Sequence, residues 1–447
     1  MSQITILGLG PGEWKHLTLE AVEALNDHHE VWLRTRHHPL VPQMPAHLTI
    51  HSFDEWYEEA DEFAALYERI AAEVVRLGQR EKGVLYAVPG NPSVGESTVG
   101  LIRLLADKAN IPVRLIEGLS FIAPSLAAVR ADALDGLQIT DATLMLSRYY
   151  PPFDADRAVL IAQLYSKMVA SEVKLTLLEL YPADHPVTLL HGAGTAQART
   201  LTLPLYELDH RSDFAYLTSL WVPPLSEPSS LPHLQNIVAH LRAPEGCPWD
   251  REQDHHSLRS SILEEAYEVV DAIDQESPTE LYEELGDLLL LITMNAQIAN
   301  EGGDFSMVQV IRAISQKLIR RHPHVFGTTD VNDLDDLIKN WDAIKAAERA
   351  AKGQPAKQKD EFDDVPLALP ALTRARKITR KAIKKGWPAP DPAHAFATWQ
   401  QSPNTTTLGD LLLALTVSAL QQKQEAETLL RDAITRLIAQ RRAHLND

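Results

Sequence analysis

The chain has 447 residues, enough for two or three domains, and its 45% hydrophobic and 23% charged residues are typical of globular proteins. The net charge of −19 argues against a general nucleic-acid-binding surface, because phosphate backbones require clustered Lys and Arg. The single cysteine, Cys247, excludes an intrachain disulfide and a cysteine-based zinc site. The sequence shows neither a signal-peptide pattern nor a membrane-spanning apolar run, so we expect a cytoplasmic protein without membrane contact.

Residues 1–222 alternate short apolar runs with helical patterns, which predicts an α/β domain with a mostly parallel sheet. The predicted helices include 16–25, 58–77 and 97–109. The predicted strands are Ile4 to Gly10, Glu30 to Leu33, Gly83 to Ala87, Val113 to Ile116, Ala142 to Leu146, Lys174 to Glu179 and Val187 to His191. The proline- and serine-rich segment 223–230 follows and predicts an interdomain linker.

Strand signals are missing from residues 231–447, which predicts an all-α C-terminal half. Within it, LGDLLLLITMNA at 285–296 matches LGDLLLALTVSA at 408–419 in eight of twelve positions. We therefore predict two related helical units, 231–351 and 371–447, packed against each other. The segment between them, 352–370, is rich in Lys, Asp, Gln and Pro and predicts a mobile loop.

Five carboxylates fall on two consecutive predicted helices in the first unit. Glu264, Glu265 and Glu268 are spaced as EExxE, and Glu284 and Asp287 as ExxD. Residues three or four positions apart share a helix face, and a short turn makes the two helices antiparallel neighbours. Carboxylates gathered in this way repel unless a cation joins them, and oxygen ligands suit Mg²⁺ or Mn²⁺. The sequence therefore predicts a magnesium site.

Two other interpretations of these acids compete with a magnesium site. A solvated acidic helix face is common in acidic proteins, but two such motifs on consecutive helices make it less favoured. A di-iron bundle requires Glu-x-x-His pairs on two helices, and the only such pair in the C-terminal half, Glu252 with His255, precedes the first helix. In the second unit Thr407 replaces Glu284 and only Asp410 is kept, which predicts a scaffold copy without metal ligands.

Cations follow the carboxylates along the chain. Lys317, Arg320 and Arg321 lie in the last turn of a third predicted helix, where they could either cap the helix or bind phosphates. Trp341 and Lys345 stand one turn apart in NWDAIKAAE, so that an indole could stack on a base while an ammonium holds a phosphate. A half-buried Trp beside a solvated Lys is the alternative for this last pair.

Five ordered blocks of the C-terminal half resemble the MazG family of nucleoside triphosphate pyrophosphohydrolases. They are GCPWDREQ, SLRSSILEEAYEVVDAI, EELGDLLL, KLIRRHPHVFG and NWDAIKAAE. The resemblance implies Glu265, Glu268, Glu284 and Asp287 as magnesium ligands, with Glu264 or Glu265 as the base that activates water. It also implies nucleotide contacts from Lys317, Arg321, Trp341 and Lys345, and cleavage of an NTP to an NMP and pyrophosphate.

The N-terminal half carries three loops that resemble those of the tetrapyrrole methylase family. They are GLGPG at 8–12, YAVPGNPSVGEST at 86–98 and EGLSFIAPSLAAV at 117–129. GLGPG is not the dinucleotide fingerprint, because Glu13 stands where GxGxxG requires glycine. The resemblance implies S-adenosylmethionine as a candidate cofactor. The residues implied to contact it are Gly8, Gly10, Pro11, Gly12, Pro89, Gly90 and Asn91.

The whole chain is thus expected to join a methylase-like domain to a MazG-like hydrolase. Two alternatives stay open: methyl transfer as the main activity with the helical half as a dimerisation module, and a non-catalytic nucleotide sensor. Because MazG-like helical pairs usually complete their cores by dimerising, we also predict a homodimer; the alternative is that the second copy completes the core within one chain. The base preference and the methyl acceptor are not readable from the sequence.

Overall fold

The computed structural model describes residues 2–60, 62–327, 341, 344, 347–348, 362–363 and 365–446. The chain divides into two compact units, 1–308 and 309–447. No described helix is long and apolar enough to cross a membrane. The segment 352–370 lies largely outside the described residues, as does Lys345.

The first sheet of the N-terminal half is wholly parallel. Buried apolar runs such as ITILG and VLYAV form its central strands, because strands covered on both faces need side chains that can be buried on either side. The strand order is β3-β2-β4-β1-β5. These strands are β1 (Ile4–Gly8), β2 (Glu30–Leu33), β3 (Thr49–Ser52), β4 (Val84–Val88) and β5 (Val113–Ile116).

Helices cover both faces of this sheet. One face packs against α3 and α4 through Ile6, Tyr86 and Ile70, and the other packs against α1 through Leu7, Leu85 and Leu25. The helices are α1 (Leu19–Asp27), α2 (Asp54–Glu58), α3 (Phe63–Gly78), α4 (Ser97–Lys108) and α5 (Ile122–Val129).

A second sheet follows, and it is mixed rather than mostly parallel, with the order β6-β7-β10-β8-β9. Only β6 and β7 pair in parallel. Its core is built from Val159, Leu189, Leu220 and the helix α6. The elements are β6 (Gln138–Asp141), β7 (Val159–Ala162), α6 (Lys167–Leu177), β8 (Pro186–His191), β9 (Arg199–Pro204) and β10 (Thr218–Val222).

Two predicted strands of this half are wrong. The residues Lys174 to Leu177 form the last turn of α6, and Leu178 and Glu179 lie in the turn after it. This helix begins where the Ser166 hydroxyl accepts the Val169 N–H. The run Ala142 to Leu146 starts a 3₁₀ turn, and the strand lies just before it, at Gln138–Asp141. Both runs are short and apolar, and such runs do not distinguish a strand from a buried helix.

The linker 223–230 is fastened to the second sheet's domain. The Asp156 carboxylate accepts the N–H groups of Ser229 and Ser230 and the hydroxyl of Ser230. Ser230 in turn caps the first C-terminal helix by accepting the N–H of His233. This contact lowers the pKa of Asp156, although burial acts in the opposite direction.

From residue 231 onward the described residues form helices and loops without strands, as predicted. The compact unit 1–308 also contains α7 (Leu231–Arg242), α8 (Pro248–Glu252), α9 (Arg259–Asp274) and α10 (Pro278–Glu301). The next helix, α11 (Met307–Arg321), begins in this unit and continues into the unit 309–447. There follow α12 (Pro323–Phe326), α13 (Ala371–Lys384), α14 (Pro392–Gln401), α15 (Thr405–Gln421) and α16 (Ala426–Asn446).

The second helical unit repeats the arrangement of the first. In the first, α10 packs against α7 and α9; in the second, α15 packs against α13 and α14. Leu231-Pro232 opens α7, and Leu369-Pro370 precedes α13 in the same way. The second copy nevertheless lacks the acids. Its helix α14 carries no carboxylate, and in α15 Thr407 occupies the position that corresponds to Glu284 of the first copy.

Candidate functional site

The candidate metal site lies on α9 and α10. The three residues 275–277 connect these helices, and Ser277 accepts the Glu280 N–H at 3.5 Å, which starts α10 with Pro278 in its first turn. α9 and α10 pack closely against each other. The short turn and the cap therefore fix which turns of the two helices face each other.

Three of the predicted ligands come together at this interface. Glu265 and Glu268 on α9 and Glu284 on α10 each place a carboxylate oxygen within 4.8 Å of the other two. Glu265 and Glu284 are half-buried, while Glu268 is exposed. Asp287 and Glu264 are exposed and lie outside this group of three, which we call the glutamate cluster.

The charges of the cluster are uncompensated. Burial raises the pKa of Glu265, and the carboxylates of Glu268, Asp287 and Glu284 raise it further. The pKa of Glu284 is raised by burial and then by Glu268 and Asp287. Asp287 is thus close enough to act electrostatically on the cluster although it lies outside the group of three. Oxygen donors that destabilise one another's charge suit a hard divalent cation.

The apolar side chains of α9 and of its first residues are only partly buried. Leu258 is fully buried and packs against Val238 and Met294, whereas Ile273 is 53% exposed. Exposed apolar side chains continue along α10 with Leu285, Leu289 and Ile292. The two helices that carry the glutamate cluster therefore present a broad apolar face.

The GCPWDREQ block is held by a residue that sequence reasoning missed. The Arg242 side chain, 7% exposed, binds both Glu301 oxygens at 2.8–3.1 Å and donates to the carbonyl oxygens of Asp250 and Gln253. A Cβ at Gly246 would lie 2.3 Å from the Leu241 oxygen, so only glycine fits this turn. This block fastens the end of α7 to the end of α10.

The predicted phosphate-binding cations lie at the end of α11. Lys317 and Arg321 are half-buried, and Arg320 is exposed. Both arginines bind the Glu348 carboxylate, and the Trp341 ring meets the ring of His322 edge-on at a centroid distance of 5.3 Å. No sequence pattern predicted that Glu348 would join the two arginines.

A second candidate site lies at the carboxyl ends of the first sheet's strands. The chain leaves β1 towards β2 and β4 towards β5, in opposite directions, and ligands of open α/β sheets bind at such a point beyond the carboxyl ends of the strands. Gly8 to Gly12 and Pro89 to Asn91 follow β1 and β4 at this end of the sheet. Asn91 donates to the Gly118 oxygen at 2.8 Å, which ties the loop after β4 to the loop after β5.

Glycines bring the three loops into direct contact. A Cβ at Gly118 would lie 2.2 Å from the Gly90 oxygen and 2.7 Å from the Gly8 carbonyl carbon. Gly10 and Gly90 exchange backbone hydrogen bonds of 3.0 and 2.9 Å, and Leu9 donates to the Val88 oxygen. Because these N–H groups are already bonded within the protein, the loop is not a phosphate cradle of the dinucleotide-binding kind.

A cavity of about 200 Å³ lies at the end of β8. Beside it, Gly194 packs against Pro11 of the first glycine loop and against Pro124. The buried His191 ring binds the Thr218 hydroxyl through Nδ1, while its Nε2 has no hydrogen-bond partner. The cavity is lined by Ala128, Leu190, His191, Ala193, Ala198, Arg199 and Thr200.

Comparisons with known proteins match the two halves of the chain to two different families. The sequence model of the tetrapyrrole (corrin/porphyrin) methylases matches residues 3–209, and that of the MazG nucleotide pyrophosphohydrolase domain matches 253–326. The uncharacterized protein YabN of Bacillus subtilis (strain 168) is 38% identical over 383 residues, which cover 85% of this chain and 76% of YabN. The chain belongs to the YabN family. It joins a methylase-family domain to a MazG domain.

Other relatives of this YabN-family chain match its MazG part alone. The nucleoside triphosphate pyrophosphohydrolase/pyrophosphatase MazG of Thermotoga maritima is 41% identical over 163 residues, which cover 36% of this chain and 60% of that protein. The nucleoside triphosphate pyrophosphohydrolase of Escherichia coli (strain K12) is 42% identical over 160 residues, which cover 36% of this chain and 59% of that protein. The chain therefore spans about 60% of the length of these two relatives.

Among solved structures, the chain is similar to uroporphyrin-III C-methyltransferase from Thermus thermophilus in complex with S-adenosyl homocysteine. The aligned region covers 49% of this chain and 97% of that chain, at 18% sequence identity and a TM-score of 0.39. In the YabN-family chain, the MazG match includes the glutamate cluster and the end of α11 and stops before Trp341.

Proposed function

We propose that the MazG part of this chain hydrolyses a nucleoside triphosphate to the monophosphate and pyrophosphate with the help of Mg²⁺ or Mn²⁺. One observation carries the proposal: Glu265, Glu268 and Glu284 converge within 4.8 Å on helices that match the MazG domain. The names of the relatives, which are nucleoside triphosphate pyrophosphohydrolases, support the substrate class.

The chemistry divides between the cluster and its neighbours. Glu265, Glu268 and Glu284, with Asp287 beside them, would hold the metal, which supplies charge neutralisation and an acidified water when bound. Glu264 lies next to Glu265 but outside the cluster, so we propose it as the carboxylate that accepts the proton of the attacking water, with Glu265 as the alternative. The nucleotide would be bound by the side chains of Lys317, Arg320, Arg321, Trp341 and Lys345.

Release of pyrophosphate from a panel of nucleoside triphosphates in Mg²⁺ tests this function. We expect turnover with the monophosphate as co-product, and loss of turnover when the metal is chelated. Binding of nucleotide without turnover would support the sensor interpretation instead. Absence of both binding and turnover would contradict the proposal.

The uncompensated cluster predicts an unusual dependence of stability on pH in metal-free buffer. Carboxyl groups whose pKa is raised in the folded protein stabilise it below their ordinary value of 4.5, and this stability is lost as the pH rises through the raised pKa. Because Glu268 raises the pKa of both Glu265 and Glu284, we expect the variant Glu268→Gln to be more stable than wild type at pH 7 and indistinguishable near pH 4.

Thermal unfolding in EDTA at the two pH values measures this effect. In saturating Mg²⁺ the order at pH 7 should reverse, because wild type gains the free energy of binding a ligand and the variant has lost a donor. A variant that is less stable than wild type in EDTA at pH 7 would show that the glutamate cluster is not electrostatically strained.

A second candidate function is binding of S-adenosylmethionine by the N-terminal domain. Three features support it: the opposite directions in which the chain leaves β1 and β4, the contact among Gly8, Gly90 and Gly118, and the cavity beside His191. Calorimetric titration with S-adenosylhomocysteine tests it, and absence of heat with the wild-type protein would contradict it. Methyl transfer as the main activity depends on this binding.

The apolar face of α9 and α10 supports the expected homodimer. Leu285, Leu289, Ile292 and Ile273 are each more than 40% exposed, a larger apolar surface than a monomeric helical pair usually leaves uncovered. Light scattering that shows only a species near the chain mass of 49.8 kDa would refute the dimer. The cytoplasmic location expected from the sequence stays a prediction.

A further inference from the structure

Glu348 joins the two arginines at the end of α11. Its Oε1 accepts from Arg320 Nε at 2.8 Å and from Arg321 Nε at 3.2 Å, while its Oε2 accepts from Arg321 Nη2 at 2.7 Å. Arg320 Nη2 also lies 2.6 Å from Oε1. The Glu348 side chain is 12% exposed, so this carboxylate is largely removed from water while it holds both guanidinium groups.

Ionised Glu348 is the stable form in this arrangement. The guanidinium groups of Arg321 and Arg320 lower the pKa of Glu348 to about 2. The cluster of two arginines and one glutamate therefore keeps one net positive charge at neutral pH. A mere surface ion pair would be neutral, whereas this group can still attract an anion.

Among the residues that the structure describes, no partner binds Nη1 of either arginine. The bonds to Glu348 use the Nε and Nη2 edge of both arginines. A guanidinium has five N–H groups on more than one edge, so Nη1 can still bind a phosphate oxygen. Arg321 is 24% exposed and Arg320 51%, so solvent reaches both groups.

We infer that Glu348 is a positioning residue that presets Arg320 and Arg321 for the phosphate groups of the substrate, an inference that depends on the proposed function. The carboxylate fixes two long side chains and reduces the repulsion between them. Without it, each arginine would be ordered only on binding, and the binding free energy would be reduced by the lost rotamer freedom.

Steady-state kinetics of Glu348→Gln tests the inference. We expect KM for the nucleotide to rise roughly tenfold while kcat changes less than about threefold, since the glutamate cluster is untouched. Glu348→Asp keeps the charge and should restore most of the affinity. The matched control is Glu425→Gln, which removes a carboxylate that binds Arg376 in the same unit and should leave KM unchanged.

A variant cycle separates positioning from folding. In an Arg321→Ala background, Glu348→Gln should raise KM by much less than in wild type, because one of its two partners is already missing. A KM that falls in Glu348→Gln would show that the carboxylate competes with the nucleotide, and an unchanged KM would show no influence. Either result would overturn the inference, whereas an inactive wild-type enzyme would overturn the proposed function itself.

Discussion

Replacing Glu265 or Glu284 by glutamine is expected to abolish pyrophosphate release, with kcat lower by on the order of 10² to 10³-fold. Glutamine keeps the shape of the side chain but removes the charge that a divalent cation requires. Both residues belong to the group whose oxygens lie within 4.8 Å of one another. Replacing either one therefore removes an oxygen ligand from the same candidate metal site. Pyrophosphate release under saturating nucleotide and Mg²⁺ measures the effect.

The matched control for this prediction is Asp274→Asn. Asp274 is an exposed acid on α9 that lies outside the glutamate cluster, so its loss changes the charge of the protein equally but should leave kcat within twofold. Equal losses in Asp274→Asn and Glu265→Gln would mean that the general acidity of α9, rather than a metal site, supports turnover.

Glu264→Gln distinguishes the proton acceptor from the ligands. Because Glu264 is exposed and outside the group of three, its variant should lose turnover and keep the stabilisation by Mg²⁺ that thermal unfolding detects. Glu265→Gln should lose both. If Glu264→Gln retains full turnover, the proton acceptor is the alternative, Glu265.

Gly118→Ala should destabilise the N-terminal domain by about 3 kcal/mol or more and prevent it from binding S-adenosylhomocysteine. The new Cβ would lie 2.2 Å from the Gly90 oxygen and within 2.8 Å of the Gly8 carbonyl, and both obstacles are backbone at the ends of central strands. Backbone cannot rotate away as a side chain can, so the loops after β1, β4 and β5 would have to separate. Chemical denaturation and calorimetric titration measure the two effects.

Gly100→Ala is the control for this substitution. Gly100 lies within α4 with no atom within 4 Å of an added Cβ, so alanine should raise stability by up to about 1 kcal/mol through its better helix propensity and leave binding intact. A Gly118→Ala protein as stable as wild type would show that the three loops do not need to touch. Absence of binding by wild type would refute the cofactor proposal and leave the stability prediction standing.

Much of the fold was predictable because it depends on neighbours in sequence. The bounds of β1, β2, β4, β5, β8 and α4 were predicted closely, and the apolar runs of β1 and β4 reflect burial on both faces. β3, β6 and β9 were missed at sheet edges, where exposed residues interrupt the apolar pattern. β7 and β10 were also missed, although they are buried central strands of the second sheet. The parallel first sheet was expected, but the antiparallel pairing of β10 with β7 and β8 depends on contacts far apart in sequence.

For the candidate site, the sequence by itself determined which carboxylates share a helix face, because a helix repeats every 3.6 residues and the Ser277 cap sets where α10 begins. Only the packing of α9 against α10 decided that Glu265, Glu268 and Glu284 meet while Glu264 and Asp287 lie outside the group. Long-range bonds were likewise invisible in the sequence: Arg242 with Glu301, Asp156 with Ser230 and Arg321 with Glu348. Local periodicity is encoded in neighbouring residues, whereas such pairs form only when helices and loops distant in the chain pack together.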